Sequence, residues 1–235
     1  MGLQSVTLTQ ADGQQRHIVP SKIVCIGRNY VEHIHELGNE IPDDMVVFLK
    51  PSSAITTALH SHLGEPLHYE AELCFLVEQG RFSAVGVGLD MTKRQLQGKL
   101  KQQGLPWERA KAFDGSALFS EFMVITETQS NWCFQLTIDD ALTQLGHQQL
   151  MMYQPADIFS SISQFMSLND GDIVMTGTPK GVGEVSANSH FVLQLWDNIL
   201  PPPEPSHIGT CAMSQSIAAQ LTNNPPLITH QWQAI

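Results

Sequence analysis

The segment HYEAELCFLVE, at residues 68–78, constrains the fold more than any other part of this 235-residue chain. As a strand, it alternates its side chains between two faces, and both faces become apolar towards the carboxyl end. This pattern predicts a strand that is buried on both sides. Glu70 and Glu72 would then lie side by side on a face that continues into the core.

Two ionised carboxylates at that separation repel each other and are costly to remove from water. A cation between them removes both costs, and hard divalent ions such as Mg²⁺ or Mn²⁺ prefer oxygen ligands. The alternative is an exposed strand end with two solvated glutamates, which is the simpler interpretation of this pattern alone. A third carboxylate, Asp90, follows the apolar run AVGVGL, where a strand would end. Asp90 completes a candidate metal site, although Asp90 or Thr92 could equally cap the helix that follows.

The rest of the chain indicates many short strands and few, short helices. The fold class that follows is α+β, mainly β, in one domain, and not a doubly wound α/β sheet. A hairpin with its turn at Asp12–Gly13 is expected at the amino end. A helix is expected over PADIFSSISQFM, with Ile158, Ile162, Phe165 and Met166 facing inward. Further helices are expected over RNYVEHIHELGN and TKRQLQGKLKQQG, and strands over KIVCIG, MVVFLKP, DIVMTG and HFVLQLW.

The chain carries a formal net charge of −11, and its few cations are unevenly distributed. An acidic surface repels phosphate backbones, so no nucleic-acid partner is expected. Six of the 12 Lys and Arg residues lie between Lys93 and Lys111, and only Lys180 follows them. Such a cluster either attracts a small anion or forms a solvated basic helix face. Lys93, Lys99 and Lys101 are compatible with the solvated face.

The four cysteines are widely separated in sequence and contain no CxxC or zinc-binding spacing. We expect them to be reduced thiols in an intracellular, cytoplasmic protein. The first residues lack the basic region and apolar core of a signal peptide. No apolar run is long enough to cross a bilayer, so no membrane association is expected.

Two further patterns contain residues that could take part in catalysis or in substrate binding. On a helix, His33 and Glu36 are three residues apart and can touch, and a carboxylate that orients a histidine makes it a better general base. His35 is a competing histidine on a different face, and incidental charges on an exposed helix are the alternative. The second pattern, TGTPKGVGEV, is not a Walker loop. It either presents backbone N–H groups and the Thr178 hydroxyl to a carboxylate or forms a plain glycine-rich turn.

Taken together and in order, these segments resemble the fumarylacetoacetate hydrolase family, and within it the acylpyruvase branch. The resemblance covers about residues 22–183. The matching segments are KIVCIGRNYVEHIHELGN, VVFLKPSSA, HYEAEL, GLDMTKRQLQ, GLPWERAKAFD and GDIVMTGTPKGVG. The usual asparagine–glycine turn of the family is degraded here to LGHQQLMMYQPAD.

The resemblance implies a mixed β-sandwich roll, a homodimer, a divalent cation and a small anionic 2-oxo acid as substrate. It implies a catalytic domain over residues 21–205, between the hairpin segment at 1–20 and a carboxyl-terminal extension at 206–235. The cation is expected to be Mg²⁺ or Mn²⁺. The implied metal ligands are Glu70, Glu72 and Asp90; the implied catalytic residues are His33, Glu36, Lys111 and Gln97; the implied substrate-binding residues are Arg28, Arg94 and Thr178.

The activity implied by the resemblance is hydrolysis of a carbon–carbon bond in a 3-acylpyruvate, giving pyruvate and a carboxylate. His33 would activate water, and Lys111 would stabilise the oxyanion. The alternative is decarboxylation or tautomerisation of oxaloacetate, or isomerisation of a 2-hydroxyhepta-2,4-diene-1,7-dioate, at the same centre. A protein that only binds a 2-oxo acid, or an acidic structural domain, would have no use for the His33–Glu36 pair.

Overall fold

The computed structural model describes residues 4–127, 129–200 and 210–235, with the main chain alone for residues 210–216. The strands are β1 (Val6–Thr9), β2 (Gln15–Ile18), β3 (Lys22–Gly27), β4 (Val46–Pro51), β5 (His68–Tyr69), β6 (Ala71–Glu78), β7 (Arg81–Asp90), β8 (Ala117–Phe119), β9 (Phe122–Val124), β10 (Cys133–Ile138), β11 (Ala141–His147), β12 (Ile173–Met175), β13 (Gly183–Glu184), β14 (His190–Trp196) and β15 (Ile228–Gln233). The helices are α1 (Val31–Glu36), α2 (Arg94–Gln102), α3 (Glu108–Lys111), α4 (Pro155–Ser163) and α5 (Thr210–Asn223). The predicted class, mainly β with few helices, is therefore confirmed.

The larger sheet has nine strands in the order β2-β1-β9-β7-β6-β12-β3-β4, with β8 also paired to β7. It is mixed: β12 runs parallel to β3, and β1 runs parallel to β9, whereas β6 is antiparallel to both β7 and β12. The strand predicted from HYEAELCFLVE is interrupted at Glu70 and continues as β6 in the middle of this sheet.

Both faces of β6 are buried, as its sequence predicts. Leu73 and Phe75 pack into the core that this sheet shares with a second, four-stranded sheet. Cys74 and Leu76 face the opposite way, into a core that also contains residues from β1, β3 and β9 of the same sheet. The nine-stranded sheet is therefore curled, and β6 lies between two apolar layers.

The second sheet has the order β11-β10-β14-β15 and covers one face of the first. Phe134 and Leu136 of β10 alternate with outward-facing residues, and Phe191 and Leu193 of β14 do the same. This alternation buries one face of an antiparallel sheet against the first sheet. It also brings Gln144 of β11 to the inner side, where it is buried.

Helix α4 covers another part of the larger sheet. Ile158 and Ile162 pack on Val24 and Val174, as predicted for this helix. The prediction that Phe165 faces inward is wrong, because α4 ends at Ser163 and Phe165 is 62% exposed. Met166 is partly buried against the same cluster.

The two ends of the chain both contribute strands. The amino-terminal hairpin forms as predicted, with β1 antiparallel to β2 and Gly13 at φ +81° in its turn. At the other end, β15 pairs with β14 as an edge strand, and α5 packs Ile217 and Leu221 against Trp196. The boundary predicted near residue 205 lies outside the described residues and stays a prediction.

Cys25, Cys74 and Cys133 are buried free thiols, as expected; the side chain of Cys211 lies outside the described residues. Throughout the described ranges, no helix combines the length and the apolar character that crossing a bilayer requires.

Candidate active site and metal centre

The three predicted metal ligands meet at one end of the β6–β7 hairpin. Glu72 lies in β6 and pairs with Gly88 of β7, Glu70 immediately precedes β6, and Asp90 is the last residue of β7. The Asp90 N–H donates a 2.8 Å hydrogen bond to the Glu70 carbonyl, which fixes the two residues opposite each other. One carboxylate oxygen from each of the three residues lies within 4.8 Å of the other two, and all three residues are buried.

Asp90 does not cap the following helix, so that alternative is excluded. Its Oδ2 lies 2.7 Å from the Lys111 ammonium and its Oδ1 lies 2.8 Å from the Lys50 ammonium. Thr92 does not cap α2 either, because its hydroxyl accepts a 2.6 Å hydrogen bond from Lys111. The residue at the N-cap position is Lys93, which makes no side-chain capping bond.

Lys111 reaches this cluster from the short helix α3 and is buried. Its ammonium donates to Glu70 Oε2 at 2.9 Å, to Asp90 Oδ2 at 2.7 Å and to Thr92 Oγ1. An ammonium has three N–H donors, and all three have partners here. Although burial alone would lower the pKa of Lys111, Asp90 and Glu70 raise it above its usual value. Lys111 is therefore a permanent cation that holds two of the candidate ligands.

Lys50 is a site residue that the sequence analysis did not assign. It comes from edge strand β4, is fully buried, and donates to the Lys111 carbonyl as well as pairing with Asp90. The available signal was a charged residue inside the otherwise apolar strand VVFLKP. That signal was not decisive, because a lysine at a strand end is ordinarily solvated.

The three carboxylates differ in their electrostatic surroundings. Burial favours a raised pKa for Glu70, but the neighbouring Lys111 and Arg94 hold it well below its usual value. Arg94 forms an ion pair with Glu70 Oε1. Glu72 is the opposite case: burial and the nearby Asp90 and Glu70 raise its pKa well above the usual value. Its carboxylate accepts a 2.7 Å hydrogen bond from the Gly177 N–H.

This asymmetry gives a test of whether the site fits a divalent cation. The lysine and arginine charges pair with Glu70 and Asp90, while no cation within the described chain forms an ion pair with Glu72. A buried carboxylate in that position becomes favourable to ionise when a divalent cation binds beside it. Three buried carboxylates are also the oxygen donors that Mg²⁺ and Mn²⁺ prefer. The residues fit such an ion.

The predicted general base lies on α1. His33 is buried, and its Nδ1 lies 3.1 Å from Glu36 Oε2. The other oxygen of Glu36 accepts a 2.9 Å hydrogen bond from the Gly181 N–H. His35 is exposed on another face of the helix. The pair predicted from the sequence is formed, and it is the His33 imidazole that lines the pocket.

The glycine-rich loop positions protein carboxylates. Gly177, at φ +98°, donates to Glu72, and Gly181, at φ +97°, donates to Glu36. A Cβ at Gly181 would lie 2.1 Å from the Thr143 carbonyl oxygen, so the loop requires glycine at this close approach. This loop therefore links the candidate metal ligands to the candidate base.

Gln144, which the sequence analysis missed, ties this loop to the strand that carries the ligands. Its Oε1 accepts from the Ala71 N–H at 3.0 Å, and its Nε2 donates to Thr178 Oγ1 and to the Pro179 carbonyl, each at 2.9 Å. The Thr178 hydroxyl in turn donates to the Ala71 carbonyl at 2.8 Å. No local pattern marks a glutamine on β11 for this role, because its partners are distant in sequence.

One pocket of about 40 Å³ brings the predicted residues together. Gln97 is buried in its wall and accepts a 3.0 Å hydrogen bond from Arg94. Lys101, compatible in sequence with a solvated helix face, also lines the pocket. Nine of the ten predicted site residues line it: Arg28, His33, Glu70, Glu72, Asp90, Arg94, Gln97, Lys111 and Thr178. The tenth, Glu36, is not part of the lining and contacts the lining residue His33.

The sequence profile of the family described as Fumarylacetoacetate (FAA) hydrolase C-terminal matches residues 22–212. The chain belongs to the fumarylacetoacetate hydrolase family. Members of this family with similar sequences include the oxaloacetate tautomerase YcgM of Escherichia coli, 35% identical over 192 residues (74% of this chain, 87% of the relative). The mitochondrial oxaloacetate tautomerase oaa1 of Schizosaccharomyces pombe is 39% identical over 184 residues (70% of this chain, 83% of the relative).

A solved structure of the family has a similar fold. The fumarylpyruvate hydrolase of Pseudomonas aeruginosa, in complex with Mn²⁺ and pyruvate, superposes with a TM-score of 0.75 at 28% identity, covering 83% of this chain and 93% of the other. The fumarylacetoacetate hydrolase family thus accounts for the fold, and this chain is an enzyme of that family.

Proposed function

We propose that this enzyme interconverts the keto and enol forms of oxaloacetate with the help of a divalent cation. The proposal rests on the contacts of His33 and Lys111, two residues that hydrolysis and tautomerisation would use differently. His33 has a carboxylate partner and faces the pocket, whereas Lys111 has all three donors engaged by Glu70, Asp90 and Thr92.

Tautomerisation needs a base that moves one proton and a polarised 2-oxo group. Glu70, Glu72 and Asp90 would hold the cation, which, when bound, supplies Lewis-acid polarisation of the 2-oxo group. Since Nδ1 of His33 faces Glu36, Nε2 is the nitrogen available to the substrate. Nε2 accepts a proton from C3 and returns it to the 2-oxo oxygen, and the reverse transfer restores the keto form.

Hydrolysis of an acylpyruvate additionally needs a donor for the oxyanion that forms when water attacks. The family resemblance implies that role for Lys111, but its ammonium has no free N–H while its three contacts persist. The names of the two tautomerase relatives favour the same alternative, and the fumarylpyruvate hydrolase neighbour keeps hydrolysis as the second candidate. The homodimer that the resemblance implies is part of this proposal, and sedimentation of the purified protein tests it.

The proposal is tested with purified protein, Mg²⁺ and freshly dissolved enol oxaloacetate, whose ultraviolet absorbance falls as the keto form appears. We expect the decay to be faster than in protein-free solution with the same Mg²⁺. His33→Gln should abolish the acceleration, and His35→Gln, an exposed change on the same helix, should leave it intact. A decay no faster than in the protein-free control contradicts the proposal. Parallel NMR of acetylpyruvate and of released CO₂ measures hydrolysis and decarboxylation.

A further inference from the structure

Asn39 joins two cations at the wall of the pocket. Its Oδ1 accepts a 3.1 Å hydrogen bond from Nη2 of Arg28 and a 3.4 Å hydrogen bond from Nζ of Lys101. Arg28 follows β3 and Lys101 lies on α2, so the amide holds two distant parts of the chain together. All three residues line the pocket that contains the three carboxylates.

Arg28 and Lys101 lack the acidic partners that the neighbouring cations have. Lys50, Arg94 and Lys111 each form an ion pair with Glu70 or Asp90. Among the described residues, no carboxylate lies within 4.0 Å of the Arg28 or Lys101 charge. In a chain with 23 acidic residues and 12 Lys and Arg residues, two unpaired cations that share one neutral oxygen are a distinctive feature.

The surroundings of Lys101 make its position close to Arg28 unfavourable unless an anion is bound. Its ammonium is half-buried and lies 5.3 Å from the centre of the Trp107 ring, which also lines the pocket. Burial, together with the nearby Arg28 and Arg94, lowers the pKa of Lys101. A bound anion would relieve the repulsion between the two cations. It would also accept hydrogen bonds from the Arg28 and Lys101 N–H groups that do not donate to Asn39.

We propose that Arg28 and Lys101 bind the second carboxylate of a 2-oxo dicarboxylate and thereby select dianionic over monoanionic 2-oxo acids. The inference rests on the proposed function for the position of the reacting end of the substrate. That end belongs at Glu70, Glu72 and Asp90, and neither Arg28 nor Lys101 forms a hydrogen bond or ion pair with those three residues. The two cations are therefore available to the other end of the molecule.

Two ligands that differ in one group test the subsite. Oxaloacetate carries a carboxylate on C3 where 2-oxobutanoate carries a methyl group, and the 2-oxo acid end is identical. Calorimetry with Mg²⁺ measures the dissociation constant of each ligand for the wild type, for Lys101→Gln, for Lys101→Arg and for Lys99→Gln. Lys99 lies on the same helix and is exposed, so its substitution removes one charge outside the pocket.

We expect the wild type to bind oxaloacetate more tightly than 2-oxobutanoate. Lys101→Gln should weaken oxaloacetate binding about tenfold, the magnitude of one charge-assisted hydrogen bond at a partly solvated site, and change 2-oxobutanoate binding by less than about twofold. Lys101→Arg should restore most of the affinity, and Lys99→Gln should change neither constant.

Equal affinity of the wild type for the two ligands, an absence of oxaloacetate binding, or equal losses for both ligands in Lys101→Gln would each overturn the subsite. A dissociation constant is an equilibrium quantity and does not depend on how fast the bound ligand tautomerises, so the outcome is separate from the proposed activity. If the protein binds oxaloacetate more tightly than 2-oxobutanoate but does not tautomerise oxaloacetate, the proposed function is wrong and the dicarboxylate subsite is still supported.

Discussion

Oε2 of Glu36 lies 3.1 Å from Nδ1 of His33. This contact orients the imidazole and leaves its Nε2 for the substrate, so Glu36→Gln should leave His33 less well positioned to accept a proton. We expect kcat for tautomerisation to fall roughly 10- to 100-fold with little change in KM.

The matched control for this change is Glu32→Gln. Glu32 is on the same helix and forms an exposed ion pair with Lys180 at 3.2 Å. Exposed pairs contribute little, so its kcat should stay within about twofold of the wild type. Comparable losses in the two variants would mean that the Glu36 contact has no specific role.

Glu70 and Glu72 should respond differently to removal of their charge. Glu72→Gln should abolish tight Mn²⁺ binding, yet leave the metal-free protein at least as stable as the wild type at neutral pH. The raised pKa of Glu72 means that its ionisation costs stability as pH rises above the usual glutamate pKa, and glutamine avoids that cost. Glu70→Gln should lose Mn²⁺ and also destabilise the protein by about 3 kcal/mol, since Lys111 and Arg94 lose a buried partner.

Mn²⁺ titrations followed by electron paramagnetic resonance measure the Mn²⁺ affinity of each variant. Urea unfolding of the metal-free proteins measures their stability. Undiminished Mn²⁺ affinity in Glu72→Gln would rule out this residue as a ligand.

Gln144→Met should destabilise the enzyme without removing any charge. The substitution leaves the buried Ala71 N–H without its acceptor and frees the glycine-rich loop from β11. We expect a loss of about 1–3 kcal/mol in the free energy of unfolding, together with weaker Mn²⁺ binding. Gln135→Met on β10, whose partly exposed amide bonds Gln194, should cost less than about 1 kcal/mol. Urea unfolding compares the two variants, and equal losses would count against the special role of Gln144.

Asp172 should give the fold an acid-sensitive contact. Burial alone would raise its pKa, but hydrogen bonds from Lys22, Ser21 and the Asn169 N–H hold the pKa below its usual value. A carboxylate with a depressed pKa adds stability at neutral pH and loses it as pH falls below about 4 towards the folded-state pKa. Asp172→Asn should therefore cost roughly 2 kcal/mol at neutral pH, and the difference from the wild type should shrink on acidification. Urea unfolding across this pH range tests it; a constant difference would exclude the linkage.

The sequence predicts those parts of the site whose chemistry is local. His33 and Glu36 are separated by one helical turn, and the buried strand that carries Glu72 is visible in its own pattern. The ambiguity at Asp90 is different in kind. A carboxylate between a strand and a helix satisfies the rules for a cap as well as for a ligand, and only the distant Lys50 and Lys111 decide between them.

The sequence does not predict the residues whose partners are distant along the chain. Gln144 reaches Ala71 and Pro179 across the two sheets, and Lys101 meets Arg28 only through Asn39. Helical periodicity predicts that Lys101 is solvated, because it depends only on the residues of the helix itself. It contains no information about the distant segments that pack against each face. The sequence analysis also does not predict the strand β15, which forms by pairing along β14.

The register of β6 against β7 has a consequence for the order of folding. Glu70, Glu72 and Asp90 all belong to one hairpin, so their approach requires closure of a short loop, which costs little chain entropy. The base on α1 follows β3, which joins the sheet by pairing with β12, a strand far away along the chain. Contacts between near neighbours generally form before those between remote segments. The acidic cluster can therefore assemble early in folding, and the histidine that acts beside it arrives with the last long-range pairings.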